Sequence, residues 1–217
     1  MAGGWYRRKF TALFKVVSAV CLLNGFDAVA WGETVPEVTT VPDVLVKTPS
    51  DENFRLKRAT TGLRSILYFY RGYWCPYGMS QLKELRNSEG VLESLGFQIF
   101  AMSPDRPARV QETAADLGAG FVLLSDNKMT AARAFGIAHR VSGTEWQQLK
   151  RYGIDLEFIS DEAHHELPQP AFYFVGRDGK IQDRFLPERI SSRLSGDDVI
   201  QRAKRLLDLE NISPSGN

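Results

Sequence analysis

The sequence predicts an α/β domain whose sheet is largely parallel. Three observations lead there. Short apolar runs recur at 65–70 (SILYFY), 97–102 (FQIFAM), 121–124 (FVLL) and 171–175 (AFYFV). Helical periodicity falls between them, as in Met79, Leu82 and Leu85. Strands that alternate with helices form βαβ units, and the crossovers leave those strands parallel.

Residues 31–41, rich in Pro, Thr and Val, read as an extended lead-in, with the domain proper over 42–209. Apolar stretches at 44–46 and 54–56 flank the turn formers of 48–53 and predict a hairpin. The run 65–70 lies between Gly62 and Gly72 and reads as a buried strand. Pro76 follows, and proline is favoured in the first turn of a helix. Tyr73-Trp74-Cys75 therefore sits on a strand-to-helix turn.

Strand 97–102 precedes a turn at 103–105 and a helix over 106–117. After strand 121–124, Asn127 is placed to cap a helix reaching Phe135, with Gly136 near its end. His139 then reads as a helix-end residue whose charge suits the dipole. Residues 145–152 predict a short helix, and 161–166 a polar loop carrying His164 and His165. Asp178-Gly179 between apolar runs predicts a hairpin of 171–175 with 180–185. Ser195 or Asp197 is a candidate cap for a last helix ending near Leu207 or Leu209, and 210–217 reads as a flexible tail.

The first 30 residues have the order of a signal peptide. Arg7, Arg8 and Lys9 form a positive start, 16–26 is uncharged, and Ala28-Val29-Ala30 is a small-x-small cleavage site. The expectation is export to a bacterial periplasm, with an uncleaved membrane anchor as the alternative. Arg7-Arg8-Lys9-Phe10 also has a twin-arginine look. Cleavage removes Cys21 and leaves Cys75 as the single thiol of a chain that cannot form an internal disulfide.

Composition excludes several classes. The 217 residues carry a net charge of +1, with no basic stripe beyond the N-terminus, so no nucleic-acid partner is expected. No phosphate-binding glycine loop or hydrolytic serine motif is present, and no cofactor is expected. His164 and His165 lack an obvious third ligand, so no metal is expected.

Cys75 carries the chemical expectation. Unpaired N–H groups and the dipole at a helix start favour negative charge, so the thiol pKa should fall and the sulfur should be reactive if it is accessible. Pro76 removes a donor the helix start does not need, and Trp74 is placed to shield one side of the sulfur.

Residues 69–77, FYRGYWCPY, closely resemble the active-site segment of peroxiredoxin-like proteins of the alkyl hydroperoxide reductase / thiol-specific antioxidant family, within the thioredoxin superfamily. The resemblance continues in 102–105 (MSPD), 124–126 (LSD) and the stretch from His164 to Phe172, and it spans about 42–207. It implies a thioredoxin-like fold, a central mixed sheet flanked by helices. It also implies that Pro170, directly before strand 171–175, is a cis-proline facing the cysteine. Catalytic Cys75 would then be supported by Arg71, Trp74, Pro76 and Pro170, and a homodimer is possible.

Two positions depart from the family pattern. Relatives often carry a second cysteine where Gly78 stands, and without it internal dithiol exchange is excluded. Well-studied peroxiredoxins place a hydroxyl residue three before the cysteine, and here that position is Gly72. They also hold an arginine near the sulfur. Arg71 is adjacent in sequence, with no sign of where its side chain points, and Arg184 is a more distant candidate.

The functional expectation is a thiol-dependent antioxidant oxidoreductase of the one-cysteine type. Cys75 reduces a hydroperoxide and becomes a sulfenic acid, which an external thiol resolves. The alternatives are a non-catalytic thioredoxin-fold binding module and a monothiol that forms mixed disulfides with exported partners.

Overall fold

The turn formers at 48–53 close a hairpin in which β1 (Leu45–Lys47) runs antiparallel to β2 (Asn53–Arg55). The computed structural model describes residues 35–212. Residues 1–34, which include the expected signal peptide and the start of the lead-in, and the last five tail residues lie outside the described residues. The chain continues through α1 (Leu56–Thr60), β3 (Arg64–Phe69), α2 (Pro76–Ser94), β4 (Phe97–Ser103), α3 (Pro107–Leu117), β5 (Val122–Ser125) and α4 (Thr130–Ala134). Next come β6 (Ala138–Arg140), α5 (Gly143–Arg151), α6 (Leu156–Ser160), β7 (Glu166–Pro168), β8 (Ala171–Val175), β9 (Ile181–Phe185) and α7 (Gly196–Ile212).

Among the described residues the main sheet has seven strands in the order β2-β1-β5-β4-β3-β8-β9. Only its centre is parallel: β3 pairs β4, and β4 pairs β5, in that sense. The flanks β1, β8 and β9 join antiparallel. The sheet is thus the mixed one that the resemblance implies rather than the largely parallel one that strand–helix alternation suggests, because two hairpins attach at its edges. The lead-in also contributes, since Thr40 bridges to Lys180 and the Ile181 N–H donates to the Thr39 carbonyl (2.8 Å).

Strand alternation divides the core into two layers. Ile66, Tyr68, Ile99, Phe172 and Phe174 face one side, under Leu82, Leu85, Val110, Val199 and Leu206 of α2, α3 and α7. Leu67, Phe69, Phe100, Met102 and Tyr173 face the other, under Leu56, Ala131, Ala132 and Phe135 of α1 and α4. Helices on both faces of a mixed sheet make the predicted thioredoxin-like layering.

A smaller cluster of Val141, Leu149, Ile154, Leu156, Ile159 and Leu167 holds α5, α6 and the β6–β7 pair together, and Tyr73 and Trp74 pack against it. This unit covers one side of the cysteine turn.

Two local expectations are corrected. The cap of α4 is Asp126, whose carboxylate accepts the N–H groups of Ala131 (2.9 Å) and Ala132 (2.8 Å), while the Asn127 amide donates to the Ser160 carbonyl. His139 lies in β6 rather than at a helix end, and burial lowers its pKa to about 4. A neutral imidazole in a strand has no helix dipole to complement. Ser195 does cap α7: its hydroxyl accepts the Asp198 N–H (3.1 Å), and Asp198 in turn accepts the Ser195 N–H (3.0 Å), a reciprocal capping box. No helix among the described residues is long and apolar enough to cross a membrane.

Candidate active site

The motif segments scattered along the sequence are the C-terminal ends of the three parallel strands, which converge at one end of the sheet. Cys75 follows β3, Asp105 follows β4 and Asp126 follows β5. Hydrogen bonds tie them together. The Tyr73 N–H donates to Asp105 Oδ2 (2.9 Å), as does the Ser103 hydroxyl (2.8 Å). The Ser125 hydroxyl donates to the Asp105 carbonyl (2.6 Å), and the Asp126 N–H to the Ser103 carbonyl (2.8 Å). Asp105 is fully buried, so its carboxylate is an internal clamp on the cysteine turn.

Cys75 is the N-cap of α2 with Pro76 at its first position, as the sequence predicts. The Tyr77 and Gly78 N–H groups lie toward the sulfur without closing a cap hydrogen bond. The residue is 3% exposed, against the expectation of an open thiol. Its pKa is raised rather than lowered: burial is the largest influence, and it outweighs Arg71 and the two N–H groups. The helix start acts in the direction expected, but desolvation wins.

Gly72 has a structural reason to lack a hydroxyl side chain. Its φ is +127°, and a Cβ there would sit 2.8 Å from Asp105 Oδ1 and 2.9 Å from Trp74 Nε1. Only glycine meets both conditions. Gly78 is similarly confined, since a Cβ would meet the Tyr70 ring at 3.3 Å.

Arg71 turns toward the sulfur. Its side chain is fully buried, lines the same cavity as Cys75 and stacks 5.3 Å from the centre of the Trp74 ring. Nη2 donates to Glu145 Oε1 of α5 (2.6 Å), while Nε and Nη1 have no protein acceptor. A buried guanidinium with two free donors beside a thiol is suited to hold an oxygen that gains negative charge. Sequence reasoning could not find Glu145, which lies 74 positions away.

Pro170 lines the cavity as expected. No cis peptide bond occurs among the described residues, so its bond is trans and that expectation is corrected. Gln169 N–H donates to the Ile137 carbonyl (2.7 Å), and β8 begins at Ala171, so the strand is entered without a reversed bond. Arg184 does not join the site; its guanidinium donates to the Pro36 carbonyl. His164 bonds the Asn127 carbonyl beyond β5 (2.7 Å) and His165 bonds Glu157 of α6 (2.5 Å). Among the described residues no three His, Cys, Asp or Glu side chains converge in a metal-holding group.

Two buried aspartates and the half-buried His139 are expected to contribute a pH dependence. Burial raises Asp105 and Asp126 from 3.8 to about 6 and lowers His139 from 6.5 to about 4. Each aspartate favours the protonated fold, contributing stability that is full below about pH 4 and lost as pH rises through 6. His139 acts oppositely, contributing stability above its unfolded value that is lost as pH falls toward 4. Two aspartates against one histidine leave a net fall on the order of 2–3 kcal/mol between pH 4 and 6. The urea midpoint is expected to decline over that range. Asp126→Asn, leaving one group of each kind, should flatten the profile.

A cysteine that caps the helix after β3, one of the three parallel strands of a helix-flanked mixed sheet, defines a thiol protein of thioredoxin-like fold. Residues 38–184 match the model of the AhpC/TSA family, and the chain belongs to that family. A Haemophilus influenzae protein bearing the peroxiredoxin bcp name is 32% identical over 76 residues, which are 35% of this chain and 49% of that protein. The matched stretch thus spans about half the length of this curated relative. The peroxidoxin BcpB structure from Mycobacterium tuberculosis superimposes with a TM-score of 0.61 at 16% identity, covering 80% of this chain and 99% of that one. Reduced Prx3 from Vibrio vulnificus, in complex with hydrogen peroxide, gives 0.63 at 13% identity, covering 78% and 99%. These likenesses show the fold.

Proposed function

We propose that this protein is a thiol peroxidase of the one-cysteine type, with Cys75 as the nucleophile. The observation that carries this reading is the cavity shared by the Cys75 sulfur and the buried Arg71 guanidinium, whose Nε and Nη1 have no protein acceptor. Family membership and the peroxide-bound structural neighbour support it.

The thiolate attacks one peroxide oxygen and the O–O bond breaks. Sulfur loses two electrons and becomes a sulfenic acid, and the departing oxygen leaves as hydroxide or alkoxide and takes a proton. Arg71 is placed to hold that oxygen as its charge grows. One external thiol then condenses with the sulfenic acid, releasing water and forming a mixed disulfide. A second external thiol displaces the first and restores Cys75. The external reductant follows from Gly78, which supplies no sulfur, together with the expected loss of Cys21 with residues 1–30. Export through residues 1–30 belongs to the same reading and would place the chemistry in the periplasm.

Treatment with low hydrogen peroxide, followed by a sulfenic-acid probe, should label Cys75. Cys75→Ser should abolish both labelling and peroxide loss. A wild-type protein that neither labels nor consumes peroxide would end the reading. The burial of the Cys75 thiol, which raises its pKa, favours a non-catalytic binding module. Retention of cellular function by Cys75→Ala would select that alternative.

A further inference from the structure

The space beside the Cys75 sulfur is small. The cavity measures about 20 Å³, and a single water needs roughly 10–15 Å³ of such space. It therefore has room for one or two water-sized groups beside the sulfur, and exposed Ser192 and Arg193 line its outer edge. Tyr68, Tyr70 and Phe172 of the sheet, Phe185 of β9, and Pro187 and Ile190 of the β9–α7 loop form its walls.

Those walls are held. Tyr68 stacks on Phe172 at 4.5 Å and on Tyr70 at 5.7 Å. The loop is tied at both ends by buried amides. Gln169 Nε2 donates to the Pro187 carbonyl (3.3 Å). Gln81 Nε2 donates to the Leu194 carbonyl (2.8 Å), and its Oε1 accepts the Leu194 N–H (3.1 Å). Ile190, 5% exposed, closes the wall between those two ties.

The geometry points to a peroxide centre selective by size: it takes hydrogen peroxide and turns away tertiary and aryl hydroperoxides, with Ile190 as a specificity-determining residue. This rests on the peroxidase reading above. Hydrogen peroxide brings two heavy atoms, and its leaving group becomes water. An organic hydroperoxide must fit its carbon branches beside the sulfur and release a bulky alcohol from the same space. Placing those branches requires Ile190 or Phe185 to move out of packed positions.

The test is stopped-flow oxidation of Cys75 in the full chain by hydrogen peroxide and by cumene hydroperoxide. Each rate is divided by that of a small free thiol with the same oxidant, so that intrinsic reactivity cancels. The normalised preference for hydrogen peroxide is expected to be about thirtyfold or more, the discrimination typical of a pocket that must reject added carbon. Ile190→Ala should reduce that preference by about fivefold or more, as an opened apolar wall does. A wild-type preference below about tenfold, with brisk oxidation by hydrogen peroxide, overturns size selection and leaves the peroxidase reading standing. A large preference that Ile190→Ala leaves untouched overturns the role of Ile190. Failure of both oxidants to react with Cys75 overturns the peroxidase reading, and this inference with it.

Discussion

Replacing Arg71 by methionine is expected to destabilise the fold by about 3–5 kcal/mol, because it strips the partner from Glu145 at a largely buried ion pair. The same change should raise the Cys75 pKa further. Arg71 is the strongest of the influences that oppose burial at the sulfur, and an adjacent cation typically lowers a thiol by about 1–3 units. Peroxide oxidation at neutral pH should slow by roughly tenfold to a thousandfold, following the thiolate fraction. Urea denaturation reads the first effect, and the pH profile of Cys75 alkylation reads the second. Glu145→Gln provides the opposing case. Arg71 keeps a hydrogen-bonding neighbour but loses its compensating charge, so the alkylation profile should move to lower pH. Profiles that move together, or not at all, would remove Arg71 from the chemistry.

Asp105→Ala is expected to act on position rather than on charge. It leaves the Tyr73 N–H and the Ser103 hydroxyl without their acceptor inside the protein, at a cost of about 2–3 kcal/mol in stability. Asp105 also pushes the Cys75 pKa up, so its removal should lower that pKa. The turn it clamps should loosen, and misplacement of a reacting atom by about 1 Å costs on the order of a hundredfold in rate. The variant should therefore hold more thiolate and yet react more slowly with peroxide. Alkylation by a small reagent and peroxide oxidation, measured side by side, separate the two effects. A rate that rises with the thiolate fraction would show that Asp105 is only an electrostatic brake.

Much of the architecture could be read from local pattern. The runs at 65–70 and 171–175 are apolar on both faces, as strands covered by helices on each side must be, and they form β3 and β8. Asp178-Gly179 marked the β8–β9 hairpin, and Pro76 marked the start of α2. The helices of 56–60 and 156–160 escaped notice because five residues do not establish a period. The β6–β7 pair escaped because its strands have three residues each and meet across more than twenty positions.

At the site, Cys75, Trp74 and Pro76 were legible because helix-start chemistry is local. Whether the thiol would be buried was not, since that depends on a loop more than a hundred residues downstream. The partner of Arg71 and the clamp of Asp105 on Tyr73 likewise arise from tertiary contact, which leaves no mark in residue spacing. The N-cap position of α4 is Met129, in a left-handed conformation (φ 57°), and the Asp126 carboxylate reaches from three residues upstream to accept the Ala131 and Ala132 N–H groups.

The tethers on the β9–α7 loop bear on how fast the protein can be restored. A two-atom oxidant can slip in beside the sulfur, but a reductant of any size must approach it for in-line displacement at a sulfenic acid. In the proposed cycle, with the loop held by Gln81 and Gln169, a reductant larger than the oxidant would reach the sulfur only after those amides let go. Recovery, not oxidation, would then be the slow half of that proposed cycle. Under steady exposure the molecule would accumulate in its oxidised form, a lasting record of having met peroxide.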